Sequence, residues 1–138
     1  MMLWLGDNIY LREADWFTRT GILARYSHFR ALPELEDLWT TAPHYAIWDD
    51  HDYGPNDAVR SFPRKDLTLE AFKIFWANNG YGVNELDGIT NAFQYGDVDF
   101  FLLDNRWNRT ENDMATVPEQ MLGQDQIDWL IELLNYSR

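Results

Sequence analysis

Two short apolar runs in this chain end abruptly in carboxylates, and that feature constrains its fold more than any other. "WLGDNIY" (residues 4–10) reaches Asp7 straight after Trp4, Leu5 and Gly6; "AIWDDHD" (46–52) reaches Asp49 and Asp50 after Ala46, Ile47 and Trp48. The runs read as buried strands, "MLWLG" over 2–6 and "HYAIW" over 44–48. Side by side in one sheet, they would deliver their acids to a single edge, and α/β sheets bind ligands at such edges.

The segments around these strands carry helical and turn signals. Residues 11–31 read as largely helical, with Gly21 a point where the helix can divide. Pro33 suits the first turn of a short helix, "PELEDLW", which Thr40, Thr41 and Pro43 would stop. A long Gly/Pro/Asn loop is expected over 49–65, then a helix over 67–79 with Leu69, Phe72 and Trp76 on one face, ended by Gly80 and Gly82. "NAFQYGDVDFFLLDN" (91–105) reads as a hairpin turning near Gly96–Asp97, with the second strand the more buried. The last amphipathic helix, "LGQDQIDWLIELLNYS", has Ile127, Leu130, Ile131 and Leu134 at helical spacing. Alternating strands and helices without a linker or repeat predict one layered α/β domain.

Composition narrows the partners. A net charge of −12 without a basic run disfavours nucleic acid and anionic membranes. No apolar run approaches the ~20 residues of a membrane span, and "MMLWLGDN" lacks the basic start and apolar length of a leader. There are no cysteines, which excludes disulfides and thiolate metal ligands. The excess of acid is what an oxygen-ligand metal site requires, because hard cations prefer carboxylates.

The acids of 49–57 raise the functional question. Four aspartates, His51, a Gly-Pro pair and Asn56 share nine positions. Like charges this dense repel unless a cation or solvent relieves them. Taken singly, a Gly-Asp after a strand is an ordinary turn or helix cap, and an acidic run is an ordinary solvated loop. Two such strand ends together, with Trp48 and Tyr53 around the acids, point to a metal. Tyr10 can turn back toward Asp7 and offer a phenolate, while His51 and Asn56 add an imidazole and a carbonyl oxygen. The spacing does not fit an EF-hand. His28 and His44 read as surface or half-buried residues, and Arg106 and Arg109 as phosphate clamps or salt-bridge partners. Trp4, Trp48, Trp76 and Trp129 read as core. "NRT" and "NYS" match glycosylation sequons, a pattern short enough to arise by chance.

With these residues in hand, "GDNIY" followed by "WDDHD" resembles the PhoD-like alkaline phosphatase branch of the calcineurin-like metallophosphoesterases. That superfamily carries G-D-x-x-[HY] and G-N-H-[DE], and the branch writes the second as W-D-D-H-[DE]. "LLDNRWNR" (102–109) resembles the branch's L-D-x-R-x-x-R, and "MLGQDQIDWL" (121–130) its M-L-G-x-x-Q-x-x-W-L. The matches fall in the right order along almost the whole chain.

The resemblance implies a two- or three-metal hydrolase of phosphate mono- or diesters, with mixed sheets flanked by helices. It implies Asp7 as a carboxylate bridging metals, Tyr10 as a phenolate ligand to ferric iron, and Asp50 at the superfamily's asparagine ligand. His51 falls at its catalytic histidine, and Arg106 brings a guanidinium near the site. Asn56 and Asp49 are candidates for the calcium side or for supporting roles, and Asp52 for orienting His51 through its other ring nitrogen. The implied cofactors are Fe³⁺ with Ca²⁺, with Zn²⁺ or Mn²⁺ as alternatives; the implied partner is a small phosphate ester, and the implied location secreted or periplasmic. The superfamily's first and last metal motifs have no match here, so residues 1–138 are expected to be the central part of a single such domain, incomplete at both ends and nearly inactive alone. A non-catalytic calcium-binding α/β interaction domain is the alternative, and a solvated acidic loop on a plain α/β domain is a third reading.

Overall fold

The computed structural model describes residues 1–137. Strand β1 (Met2–Leu5) lies parallel to β2 (His44–Ile47), with Leu5 opposite Ile47. A parallel pair needs a long crossover, here supplied by helix α1 (Arg19–Arg30), a 3₁₀ turn (Pro33–Leu35) and helix α2 (Glu36–Thr41). One-turn helix α3 (Asp50–Tyr53) and helix α4 (Lys65–Phe75) follow, then the antiparallel hairpin β3 (Asn91–Tyr95) and β4 (Val98–Leu102), and finally helix α5 (Gln124–Tyr136). The result is a mixed α/β fold of two small sheets with helices.

The core gathers where α1 and α4 pack together behind the parallel strands. Ile22 and Tyr26 of α1 and Leu69 and Phe72 of α4 are buried, and so are Trp48 and Trp76. The Tyr26 and Phe75 rings stack at 4.9 Å. On the other side of β2, the Asn78 side chain accepts from the Ala46 N–H (2.9 Å) and donates to its carbonyl (2.8 Å), standing in for a neighbouring strand. The hairpin docks through β3, because Phe93 stacks on Tyr45 of β2 at 3.9 Å.

The structure departs from the sequence-based expectations at several points. Residues 11–18 form turns, and α1 begins only where the Thr18 hydroxyl accepts from the Gly21 N–H (3.1 Å). Gly21 lies inside the first turn and does not divide the helix; a Cβ there would sit 2.8 Å from the Thr18 hydroxyl and 2.9 Å from the Asp15 Cα. Thr40 and Thr41 extend α2 instead of stopping it, their hydroxyls bonding back to the carbonyls of Asp37 and Leu38. The expected loop over 49–65 contains α3, and α4 ends at Phe75 because Trp76 is extended, before Gly80 is reached. The hairpin turns at Gly96–Asp97 as expected, but β3 has two fully buried residues to one in β4, with Phe93 of β3 stacked on Tyr45 of β2. Strand β1 is only half-buried, with Leu5 70% exposed, and Trp4 and Trp129 are half-buried too. In α5 it is Gln126 that is buried, while Ile127, Ile131 and Leu134 are exposed.

Candidate metal centre

Because β1 and β2 are parallel and end in register, the chain leaves both strands on the same edge. Gly6 lets the two exits touch. Its φ is +101°, and a Cβ there would lie 2.7 Å from the Asp49 Cβ, so any side chain would push the loops apart. Asp7 follows with φ +50°, a left-handed conformation that few non-glycine residues adopt. Asp52 holds this geometry from beneath. Fully buried, its carboxylate accepts from the N–H groups of Ile9 (3.0 Å), Asn8 (3.3 Å) and Asp49 (3.0 Å). Asn8 donates its side-chain amide to the Ile47 carbonyl (2.8 Å), and the Leu11 N–H donates to the His51 carbonyl (3.0 Å). The loop after β1 is thereby sewn to the loop after β2.

The expected convergence of strand-end acids follows. Asp7, Asp50 and His51 each offer a ligand atom, and these atoms lie within 4.8 Å of one another. Asp50 Oδ1 accepts from the His51 N–H (3.0 Å) and Oδ2 from the Asp57 N–H (2.6 Å). Burial opposes the Asp50 charge, but the Asp57 hydrogen bond, the Arg106 charge and His51 outweigh it and lower its pKa. Asp7 Oδ2 accepts from the Tyr10 hydroxyl (3.2 Å), whereas Asp7 Oδ1 is buried with no hydrogen-bond partner among the described residues. The Tyr10 ring lies over His51, centroids 4.4 Å apart. The negative charge of Asp7, and then its hydrogen bond, raise the Tyr10 pKa.

Asp49, Asn105 and Arg106 form the adjoining wall. Arg106 is 6% exposed and grips Asp49 Oδ1 through Nε (2.6 Å) and Nη2 (2.5 Å), while Nη1 donates to the Ala58 carbonyl (3.3 Å). Arg106 Nη2 also lies 4.0 Å from Asp50 Oδ2. Asn105 donates to the same Asp49 oxygen (3.0 Å), and its own Oδ1 is buried without a partner.

Of the residues singled out in the sequence, Asp7, Tyr10, Asp50 and His51 meet at one point. Asn56 does not join them: it is exposed, and its amide donates to Asp57 (2.6 Å). Asp52 does not hold the His51 ring; its oxygens are taken by backbone N–H groups, because α3 turns its carboxylate inward beneath the two loops. Burial, the largest influence, drives Asp52 up to about 7 despite these donors. Among the described residues Arg109 pairs through its backbone, its carbonyl accepting from the Arg60 N–H at 2.9 Å and its N–H donating to the Arg106 carbonyl at 3.1 Å.

Sequence reasoning gave no role to Asn105, Asp104 or Gln126, although Asp104 and Gln126 stand at the Asp of L-D-x-R-x-x-R and the Gln of M-L-G-x-x-Q-x-x-W-L. The signal for Asp104 was present, since "FFLLD" is another apolar strand ending in an acid. This acid points inward. It is 1% exposed, and it accepts from Trp48 Nε1 (2.8 Å) and from the N–H groups of Ile89, Arg106 and Trp107 (2.9 Å each).

Parallel strands that deliver two carboxylates and an imidazole to one edge, with helices behind them, place this chain among layered α/β proteins, with a cluster of acidic side chains at the strand ends where such folds bind ligands. Within that class, it is similar in fold to the solved structure described as "Structure of PhoD", with a TM-score of 0.77 and 19% sequence identity. The match covers 98% of this chain and 34% of the PhoD chain, so residues 1–138 correspond to about a third of that protein. The PhoD-like character read from the motifs is thus met at the level of fold. No family model matches the chain, and no curated protein matches it by sequence.

Proposed function

We propose that this chain carries part of the active site of a metal-dependent phosphate-ester hydrolase of PhoD-like type. The observation that supports it most is Asp7 Oδ1, a buried carboxylate oxygen without a hydrogen-bond donor, beside a second carboxylate and an imidazole. An acid so placed needs a cation. The donor set fits one: two carboxylates and a phenol are hard oxygen ligands, which suit Fe³⁺ and Ca²⁺, with Zn²⁺ or Mn²⁺ as substitutes. Bound there, metal ions supply Lewis acidity that neutralises phosphoryl charge and makes water acidic enough to attack near neutral pH.

The side chains of the chain have distinct tasks in this reading. Asp7 and Asp50 would hold the ions, and Tyr10, whose hydroxyl donates to Asp7, would add a phenolate oxygen. His51, stacked under Tyr10, protonates the leaving alkoxide or stabilises its developing charge. Arg106 keeps Asp49 neutralised, and Asn56 requires a loop rearrangement before it can contribute.

The test is Mn²⁺ binding to the chelator-treated chain, read by electron paramagnetic resonance, alongside hydrolysis of p-nitrophenyl phosphate and its bis ester. Binding should be lost in Asp7→Ala and retained in His51→Ala, while His51→Ala lowers turnover by ~10²–10⁴ in the complete protein that contains this segment. The chain alone should turn over below the ~1 s⁻¹ that marks the low end of ordinary enzymes. No binding at millimolar Mn²⁺, or equal binding by Asp7→Ala, would overturn the proposal.

A further inference from the structure

A continuous path of hydrogen bonds runs from helix α5 to the acids of the candidate metal centre. It begins at Gln126, which is 3% exposed on a helix whose apolar residues are largely in solvent. Gln126 Oε1 accepts from the Asp104 N–H (2.7 Å) and from the Thr90 hydroxyl; Nε2 donates to the Asp104 carbonyl (2.9 Å) and to that of Leu122 (2.9 Å). Both main-chain polar groups of Asp104 are therefore held by one side chain. The Asp104 carboxylate in turn holds the backbone of the next turn through the N–H groups of Arg106 and Trp107. From that turn, Asn105 and Arg106 both reach Asp49 Oδ1.

The consequence lies in which acids remain free. Asp49 and Asp50 are adjacent, and either could turn toward a cation. With Asn105 and Arg106 closed on Asp49 Oδ1, the groups that face one another are Asp7, His51 and Asp50, whose two oxygens accept from the local N–H groups of His51 and Asp57. We infer that Asp104, keyed by Gln126 of α5, is a positioning residue of this site: it sets the Asn105–Arg106 turn that ties up Asp49 and leaves Asp7 and Asp50 to the metal. The inference rests on the metal-site reading proposed above and adds two residues that touch none of the proposed ligands.

Groups hydrogen-bonded directly to metal ligands typically change metal affinity ~10–100-fold when removed, and Gln126 and Asp104, acting one step further out, belong at the low end of that range. The experiment measures Mn²⁺ affinity by electron paramagnetic resonance, well below the unfolding temperature, with folding checked by near-ultraviolet circular dichroism. Gln126→Leu fills nearly the same space without any hydrogen bond, and should weaken Mn²⁺ binding ~10-fold or more. Asp104→Asn can keep one oxygen for Trp48, Arg106 and Trp107, so its affinity should stay within about threefold of the parent, in contrast to Asp104→Ala.

Ile22→Ala, a buried site on α1, destabilises the fold by a cavity alone and should leave affinity unchanged. If Gln126→Leu and Ile22→Ala weaken binding equally, the path is merely structural and the inference falls. It falls equally if folded Gln126→Leu binds Mn²⁺ like the parent. Failure of the parent chain itself to bind Mn²⁺ would instead defeat the metal-site reading, so the two outcomes are distinguishable.

Discussion

Asp7 and Asp104 look alike in the sequence and behave oppositely in the structure. Each follows an apolar strand, yet Asp104 receives four N–H donors and Asp7 leaves one buried oxygen with none. A carboxylate fully supplied with donors is part of the scaffold. One whose buried oxygen is undersupplied costs stability, and in the function proposed above that oxygen is where a cation would bind. Between these two acids it is donor supply, more than sequence context, that separates an anchor from a candidate ligand; Asp50, with one backbone donor on each oxygen, lies between them.

The comparison is broken most directly by removing the anchor. Asp104→Ala strands the Trp48 indole N–H and three backbone N–H groups in the interior. At ~1–3 kcal/mol for each unpaired buried group, the loss should exceed about 3 kcal/mol after partial rescue by water. Urea denaturation in the presence of chelator measures it, and a loss below ~1 kcal/mol would remove Asp104 from the scaffold.

Asp52 tests an intermediate case, a carboxylate with three donors that is still raised to about 7 by burial. Its folded pKa lies above the ordinary value, so between about pH 4 and 7 the folded state holds a proton that the unfolded state has released. Its contribution is therefore complete below about pH 4 and lost as pH rises through 7. Asp50, whose pKa is lowered, contributes in the opposite sense at the acid end. Unfolding curves of the metal-free protein should show the pH 4–7 decline, and Asp52→Asn should flatten it. An unchanged slope in Asp52→Asn would assign the decline to another group.

The smallest effect is expected at Asp7. Without metal, Asp7→Asn relieves repulsion from Asp50, and its amide oxygen can still accept from the Tyr10 hydroxyl, though without the charge. Its stability should stay within ~1 kcal/mol of the parent, as for partly exposed polar pairs. The informative reading comes with metal added: the parent's melting temperature should rise by mass action and that of Asp7→Asn should not. A rise in both would place the ion elsewhere.

Local pattern was enough for those elements whose determinants lie within a few residues. The two strands ending in Asp7 and Asp49, the hairpin turning at Gly96–Asp97 and the buried face of α4 were legible from periodicity and turn chemistry. So was the convergence of Asp7 and Asp50, because parallel neighbours ending in register have no other geometry available. Helix α5 shows where that reasoning stops. Its pattern resembles that of α4, yet Leu69 and Phe72 are buried whereas Ile131 and Leu134 are exposed. Period reports that a face is apolar, and only the arrangement of other elements decides what covers it.

The same limit applies within the site. Residues 49–57 announced a cluster of acids in the sequence, but which acid faces a ligand depended on donors from far along the chain. Arg106 and Asn105 claim Asp49, the backbone of residues 8 and 9 claims Asp52, and Asp7 is left with an unpaired oxygen. Residue types and their local spacing were fixed by the sequence alone. The roles of the acids were set by hydrogen bonds spanning more than forty positions, which exist only once tertiary packing has brought those donors to the same edge.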